Sequence, residues 1–157
     1  MSWEMFDTLT ARFALPRPMS GTPHAHFSFS GLKTALRQQA EIRNQWLTER
    51  LDTLVPALMT REGFDLWLVI AREYAEDPVY FTLVPQPSFA ARRTTMLIFH
   101  RQPDGSVQRL SINRYPLGEP YEPAWSGGDL DEQWKALGEL IVERDPRRVG
   151  INVSKEW

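Results

Sequence analysis

The run Phe64-Asp65-Leu66-Trp67-Leu68-Val69-Ile70-Ala71 constrains this chain more than any other stretch. It is apolar at alternate and intervening positions alike, so a strand made from it shows hydrophobic side chains on both faces of a sheet. Such a strand needs helices above and below it, which is the arrangement of an α/β sheet and not of a half-solvated meander. The flanking sequence supplies them. From about Leu32 to Arg61 the pattern is helical, with Leu47, Leu51, Leu54, Val55 and Leu58 on one stripe and Glu41, Arg43, Glu49, Arg50 and Asp52 in the solvated positions. Pro56 lies inside that stripe. It removes one backbone bond and costs about 3 kcal/mol in an unbroken helix, so a kink or a fresh helix start is expected near it. Gly63 fits a C-terminal stop.

Beyond the central run, Thr94–His100 and Val107–Asn113 read as strands joined by the turn Arg101-Gln102-Pro103-Asp104-Gly105-Ser106, an antiparallel hairpin. Pro116 to Gly128 reads as a loop. Asp129 then caps a helix, with Glu132 in capping-box position, and Leu130, Trp134, Leu137 and Ile141 form the expected buried stripe. Pro146 stops it, and Arg148–Val153 is a final strand. The order predicts an α/β fold, a mixed β-sheet with an antiparallel hairpin flanked by helices. Residues 1–31, with Pro16, Pro18, Gly21, Pro23 and Gly31, read as an N-terminal arm or linker, and residues 32–157 as the domain.

Charge and composition narrow the chemistry. A formal net charge of −2 lacks the basic excess expected of a protein that grips phosphate backbones, so no nucleic-acid partner is expected. The chain has no cysteine, which rules out thiolate catalysis, thiolate metal sites and disulfides. Met1–Thr10 lacks the pattern of a secretory signal, and the strongest apolar runs are too short to span a bilayer. A cytoplasmic protein with no membrane partner is the expectation.

Candidate groups for chemistry are few. His24 and His26 can face one side of an extended segment as a metal-ligand pair, or stand solvated in the arm. His100 ends a strand. Gly127-Gly128-Asp129 precedes a helix and reads as a cap ahead of an anion nest. Arg72-Glu73-Tyr74-Ala75-Glu76-Asp77-Pro78 follows the central strand, where α/β sheets place ligands; it is either a functional surface or a polar connection. Arg92-Arg93 can clamp a carboxylate or phosphate, or simply lead into a strand. Trp46, Trp67 and Trp134 are expected in the core, with Trp3, Trp125 and Trp157 in loops or at ends.

The stretch from about Ile42 to Trp157 resembles the amino-terminal domain of the creatinase/prolidase/aminopeptidase P family. The resemblance rests on Arg50-Leu51 through Gly63, Phe64–Ile70, Tyr80-Phe81-Thr82, the hairpin Thr94–Ile112, the helix Asp129–Arg144 and Arg148-Val149-Gly150-Ile151-Asn152. Arg72–Thr82 is similar to a bacterial Xaa-Pro peptidase-like branch. The resemblance implies a ribonuclease H-like fold and a non-catalytic role in an aminopeptidase or dipeptidase-like metallopeptidase (a hydrolase), serving oligomerisation and closure of the substrate cleft. Its implied partners are a C-terminal pita-bread catalytic domain, which would hold a divalent metal pair, and a second copy in a homodimer. No catalytic or metal-ligating residue is carried over to this chain. The alternative is a free-standing peptide- or protein-binding module without its catalytic partner. On either reading the candidate ligand or interface surface is Arg72, Glu73, Tyr74, Asp77, Tyr80, Arg92 and Arg93.

Overall fold

A computed structural model describes residues 29–88 and 90–153. Most of the expected arm, the His24–His26 pair, Trp3 and Trp157 lie outside the described residues. The chain falls into two compact units, Met1–Ile42 and Arg43–Trp157. In the first, the described residues are all helical, the opening part of α1 (Phe29–Glu49).

The second unit answers the problem set by Pro56. After α1 the helix opens into one π turn (Arg50–Leu54), in which the Val55 N–H donates to the Arg50 carbonyl, and then resumes as α2 (Val55–Glu62). Pro56 thus stands in the first turn of a new helix, where a missing N–H costs least. The wide turn also resets the stripe. An α-helix of about 3.6 residues per turn would carry a strict four-residue repeat around its axis, but Leu47, Leu51, Val55 and Met59 all stay buried. Leu54, expected in the stripe, is exposed instead. Gly63 closes α2 in the left-handed conformation, as expected.

The rest of the unit is β1 (Leu66–Arg72), a short α3 (Tyr80–Leu83), β2 (Thr94–Arg101), β3 (Val107–Asn113), β4 (Glu122–Pro123), α4 (Leu130–Arg144) and β5 (Val149–Ile151). The sheet order is β4-β3-β2-β1-β5. β1 pairs antiparallel with β2 and β2 with β3, while β5 lies parallel to β1 and β4 parallel to β3. This is an α/β fold with a mixed five-stranded sheet flanked by helices. The two-faced burial expected of the central run is present. Val69 and Ala71 join a core with Leu51, Val55, Met59, Leu97 and Phe99, whereas Leu66 and Leu68 join Met96, Ile98, Ile112, Leu137 and Leu140 on the other side.

Two expectations need correction. In α4 the buried residues are Gln133, Leu137 and Leu140, while Leu130 and Trp134 are 53% and 46% exposed. Trp46, expected in the core, is also exposed. The segment Tyr80-Phe81-Thr82, read as part of a family pattern, forms the short helix α3. No helix of the described residues is long and apolar enough to cross a membrane.

The start of α4 is fixed locally. The Glu132 N–H donates to Asp129 Oδ1 at 2.9 Å and the Asp129 N–H to Glu132 Oε2 at 2.9 Å, a complete capping box. Asp129→Ala removes the acceptor at the N-cap, and equilibrium urea unfolding is expected to show a loss of about 1 kcal/mol.

Candidate functional site

Because β1 and β5 run parallel, their carboxyl ends open on the same side of the sheet. A cavity of about 970 Å³ lies there. Its more buried lining comes from Ile70, Thr94, Gln133 and Asn152; Arg72, Arg93 and Arg114 stand around it with Tyr74, Trp125 and Trp134. Strand ends, the turn after β1 and the first turn of α4 thus deliver side chains to one place.

β5 is only three residues long, and side chains extend its hold on β1. Asn152 Oδ1 accepts from the Ile70 N–H at 3.0 Å and Asn152 Nδ2 donates to the Ile70 carbonyl at 3.1 Å. The amide thereby satisfies both backbone polar groups of Ile70, beyond the last residues that β1 and β5 pair through their backbones. At the other end, Asp65 Oδ2 accepts from the backbone N–H groups of Arg147 and Arg148, and Asp65 Oδ1 accepts from Arg101 Nη2 at 2.6 Å.

The turn after β1 is held in an uncommon shape. Tyr74 and Arg93 both have positive φ, 67° and 57°, a region that non-glycine residues enter at a cost. The two segments brace each other. The Glu73 N–H donates to the Arg93 carbonyl at 2.6 Å, and the Arg93 N–H donates to Glu73 Oε2 at 3.2 Å. The result leaves Tyr74 94% exposed beside the cleft.

The electrostatics are asymmetric. Among the described residues, none of Arg72, Arg93 and Arg114 forms an ion pair with a carboxylate. Arg114 donates from Nη2 to the Gly128 carbonyl at 3.0 Å. The two carboxylates that line the cleft are engaged with backbone N–H groups, Glu73 with Arg93 and Asp129 with Glu132. Three arginines that line the cleft therefore have no carboxylate partner among the described residues. Planar guanidinium forks of this kind suit phosphate and carboxylate oxygens.

The expected surface divides. Arg72, Glu73, Tyr74 and Arg93 come together at this cleft. Asp77 is buried and accepts from the Val79 N–H at 2.8 Å, so it shapes the entry to α3. Tyr80 is buried too; its hydroxyl donates to the Ala90 carbonyl, and burial raises its pKa. Tyr80 and Arg92 line a separate cavity of about 230 Å³, where the Arg92 guanidinium lies over the Tyr115 ring at 5.4 Å. The adjacent arginines thus do not form one clamp. Arg93 works with Arg72 and Arg114 instead. His100 stands opposite Leu66, at the far end of β1 from the cleft; partial burial and the Arg144 charge lower its pKa.

Sequence reasoning missed Arg114, Gln133 and Asn152, and it placed Trp134 in the core. Arg114 directly follows the hairpin strand β3 and Asn152 lies in the last predicted strand; the order β4-β3-β2-β1-β5, with β5 parallel to β1, brings them to the same end of the sheet.

The comparisons with known proteins bear on a short stretch. A tRNA N6-adenosine threonylcarbamoyltransferase of Bradyrhizobium diazoefficiens is 70% identical over 30 residues, covering 19% of this chain and 8% of that protein. One of Methylorubrum extorquens is 73% identical over 30 residues, covering 19% and 9%. This match spans less than a tenth of the relatives' own length. No protein-family model matches the chain, and no solved structure matches it.

These findings overturn the creatinase/prolidase/aminopeptidase P expectation. The relatives are transferases by name, not metallopeptidases or aminopeptidases. With it goes the reading as an oligomerising, cleft-closing domain of an Xaa-Pro peptidase, or as a peptide- or protein-binding remnant of one. The physical reason lies in what carried the resemblance: a helix, a two-faced strand, a hairpin, a helix and a strand are what any mixed sheet with covered faces requires.

Removing the Asn152 amide leaves the partly buried Ile70 N–H and carbonyl without their partners. Asn152→Ala is expected to lower stability by about 1–3 kcal/mol and to speed amide hydrogen exchange at Ile70, measured by NMR.

Proposed function

We propose that this chain is a ligand-binding α/β module acting alongside tRNA modification, and that its cleft receives a single-stranded RNA nucleotide. One observation carries the reading: three guanidinium groups that have no carboxylate partner among the described residues line a cleft that also displays Tyr74, Trp125 and Trp134. Arginine forks take phosphate oxygens, and aromatic side chains offer planes on which unpaired bases stack. The names of the relatives matched over 30 residues, tRNA N6-adenosine threonylcarbamoyltransferases, support the same setting.

The net charge of −2 had argued for no nucleic-acid partner. Net charge sums over the whole surface, whereas the field at a cleft is local and screened within about 8 Å in physiological salt. Asp65, Asp52 and Glu139 are paired with Arg101, Arg109 and Lys135 elsewhere. What matters at the cleft is the arginine trio.

Fluorescence anisotropy with a labelled, mixed-sequence single-stranded RNA tests this. Affinity is expected to fall as salt rises, and the double substitution Arg72→Ala, Arg93→Ala to weaken binding by roughly 10- to 100-fold, as loss of charge-assisted bonds implies. Arg92→Ala, altering the other cavity, is expected to bind like the unaltered protein. RNA binding that ignores the Arg72 and Arg93 changes, or no binding at low salt, would show the reading to be wrong.

A further inference from the structure

Gln133 is a polar side chain 95% removed from solvent, since only 5% of it is exposed, yet it lines the cleft. Its orientation is forced. Nε2 donates both of its hydrogens inward, to the Thr94 carbonyl at 3.0 Å and the Ile112 carbonyl at 3.1 Å. Both partners are acceptors, so a flipped amide would set oxygen against oxygen and lose both bonds. Oε1 is left over. Among the described residues nothing donates to it, and the buried side-chain atoms lacking a partner include only Arg144 Nε, so Oε1 keeps access to the outside. An acceptor on a nearly buried residue that lines the cleft, anchored through its own amide nitrogen and left without a donor among the described residues, is available to a hydrogen-bond donor from a ligand.

We infer that Gln133 is a specificity-determining residue, whose Oε1 accepts from the exocyclic amine of the bound base. Resting on the RNA reading, this narrows the ligand to a base with an exocyclic amine, with adenine the base put to the test. The arginines supply affinity for the phosphate without regard to sequence. Gln133 supplies the choice. A base that offers only an acceptor at that point leaves Oε1 facing an oxygen or ring nitrogen with no proton between, and both groups lose their hydration for nothing.

The anchoring also explains why the acceptor can discriminate. The donors of Gln133 join β2 and β3 to α4, because Thr94 begins β2 and Ile112 belongs to β3. The side chain cannot rotate to present its NH₂ to a different ligand without breaking those contacts. A free glutamine on a surface would serve either donor or acceptor; this one serves as acceptor alone.

The test compares two single-stranded ten-nucleotide RNAs with the unaltered full chain. One is oligoadenylate; in the other every base is purine lacking the amine. Oligoadenylate is expected to bind about ten-fold more tightly, the effect of one donor lost against a nearly buried acceptor. In Gln133→Leu, with folding checked by thermal denaturation, the ratio is expected to fall to near one. Equal binding of the two RNAs by the unaltered protein overturns the inference while leaving the RNA reading in place. So does failure to bind oligoadenylate when mixed-sequence RNA binds. If no RNA binds at all, the RNA reading fails first and this inference with it. A ratio that persists in a folded Gln133→Leu protein would assign the selection to another residue and overturn the role of Gln133.

Discussion

The parallel pairing of β5 with β1 is the contact on which the candidate site depends. A three-residue strand at the edge of a sheet has few backbone bonds of its own, and side chains reinforce it at both ends. Asp65 accepts from the backbone N–H groups that lead into β5, and the Asn152 amide continues the ladder past its end. Remove that pairing and Ile151, Asn152 and Val153 no longer wall the cleft. The open edge would then be β1 itself, six of whose seven residues are apolar.

Everything else at the site follows from where strand ends meet. β1 delivers Arg72, the start of β2 delivers Arg93 and Thr94, and Arg114 follows the end of β3. The first turns of α4 add Gln133 and Trp134. The sheet therefore gathers three guanidinium groups at one end, beside the carboxylates of Glu73 and Asp129, in a chain with no basic excess. The left-handed backbone at Tyr74 and Arg93 is tolerated because Glu73 and Arg93 brace each other through two hydrogen bonds. A costly conformation held in place this firmly beside a cleft is the kind of strain that accompanies function.

The parts of the fold that were legible in sequence are those decided locally. The two-faced run at Leu66–Ala71, the Pro103-Asp104-Gly105 turn and the Asp129–Glu132 capping box each carry their own chemistry, and each took the form expected. What failed was decided at a distance. Helical periodicity favoured Trp134 over Gln133 for the core because it weighs hydrophobicity alone; Gln133 is inside because two strand carbonyls accept from its amide. Leu54 left the stripe because a π turn, not an α turn, precedes Pro56. At the candidate site, the rule that ligands gather at carboxyl ends of strands pointed to Arg72, Glu73 and Tyr74, which line the cleft. It could not reach Arg114 or Asn152, whose places depend on strand order. The family resemblance failed for the related reason that element order is shared by many unrelated sheets.

The central claim is that one cleft, at the joined ends of β1 and β5, takes the RNA. Two-dimensional ¹H–¹⁵N NMR of the tryptophan indoles addresses it most directly. Trp125 and Trp134 line the cleft, whereas Trp67 stacks on Phe99 in the core of the opposite face and Trp46 lies exposed on α1. On titration with single-stranded RNA, the Nε1–H signals of Trp125 and Trp134 should shift together and saturate, while those of Trp46 and Trp67 stay in place. Shifts confined to Trp46 or Trp67, or no indole shift at saturating RNA, would contradict the account.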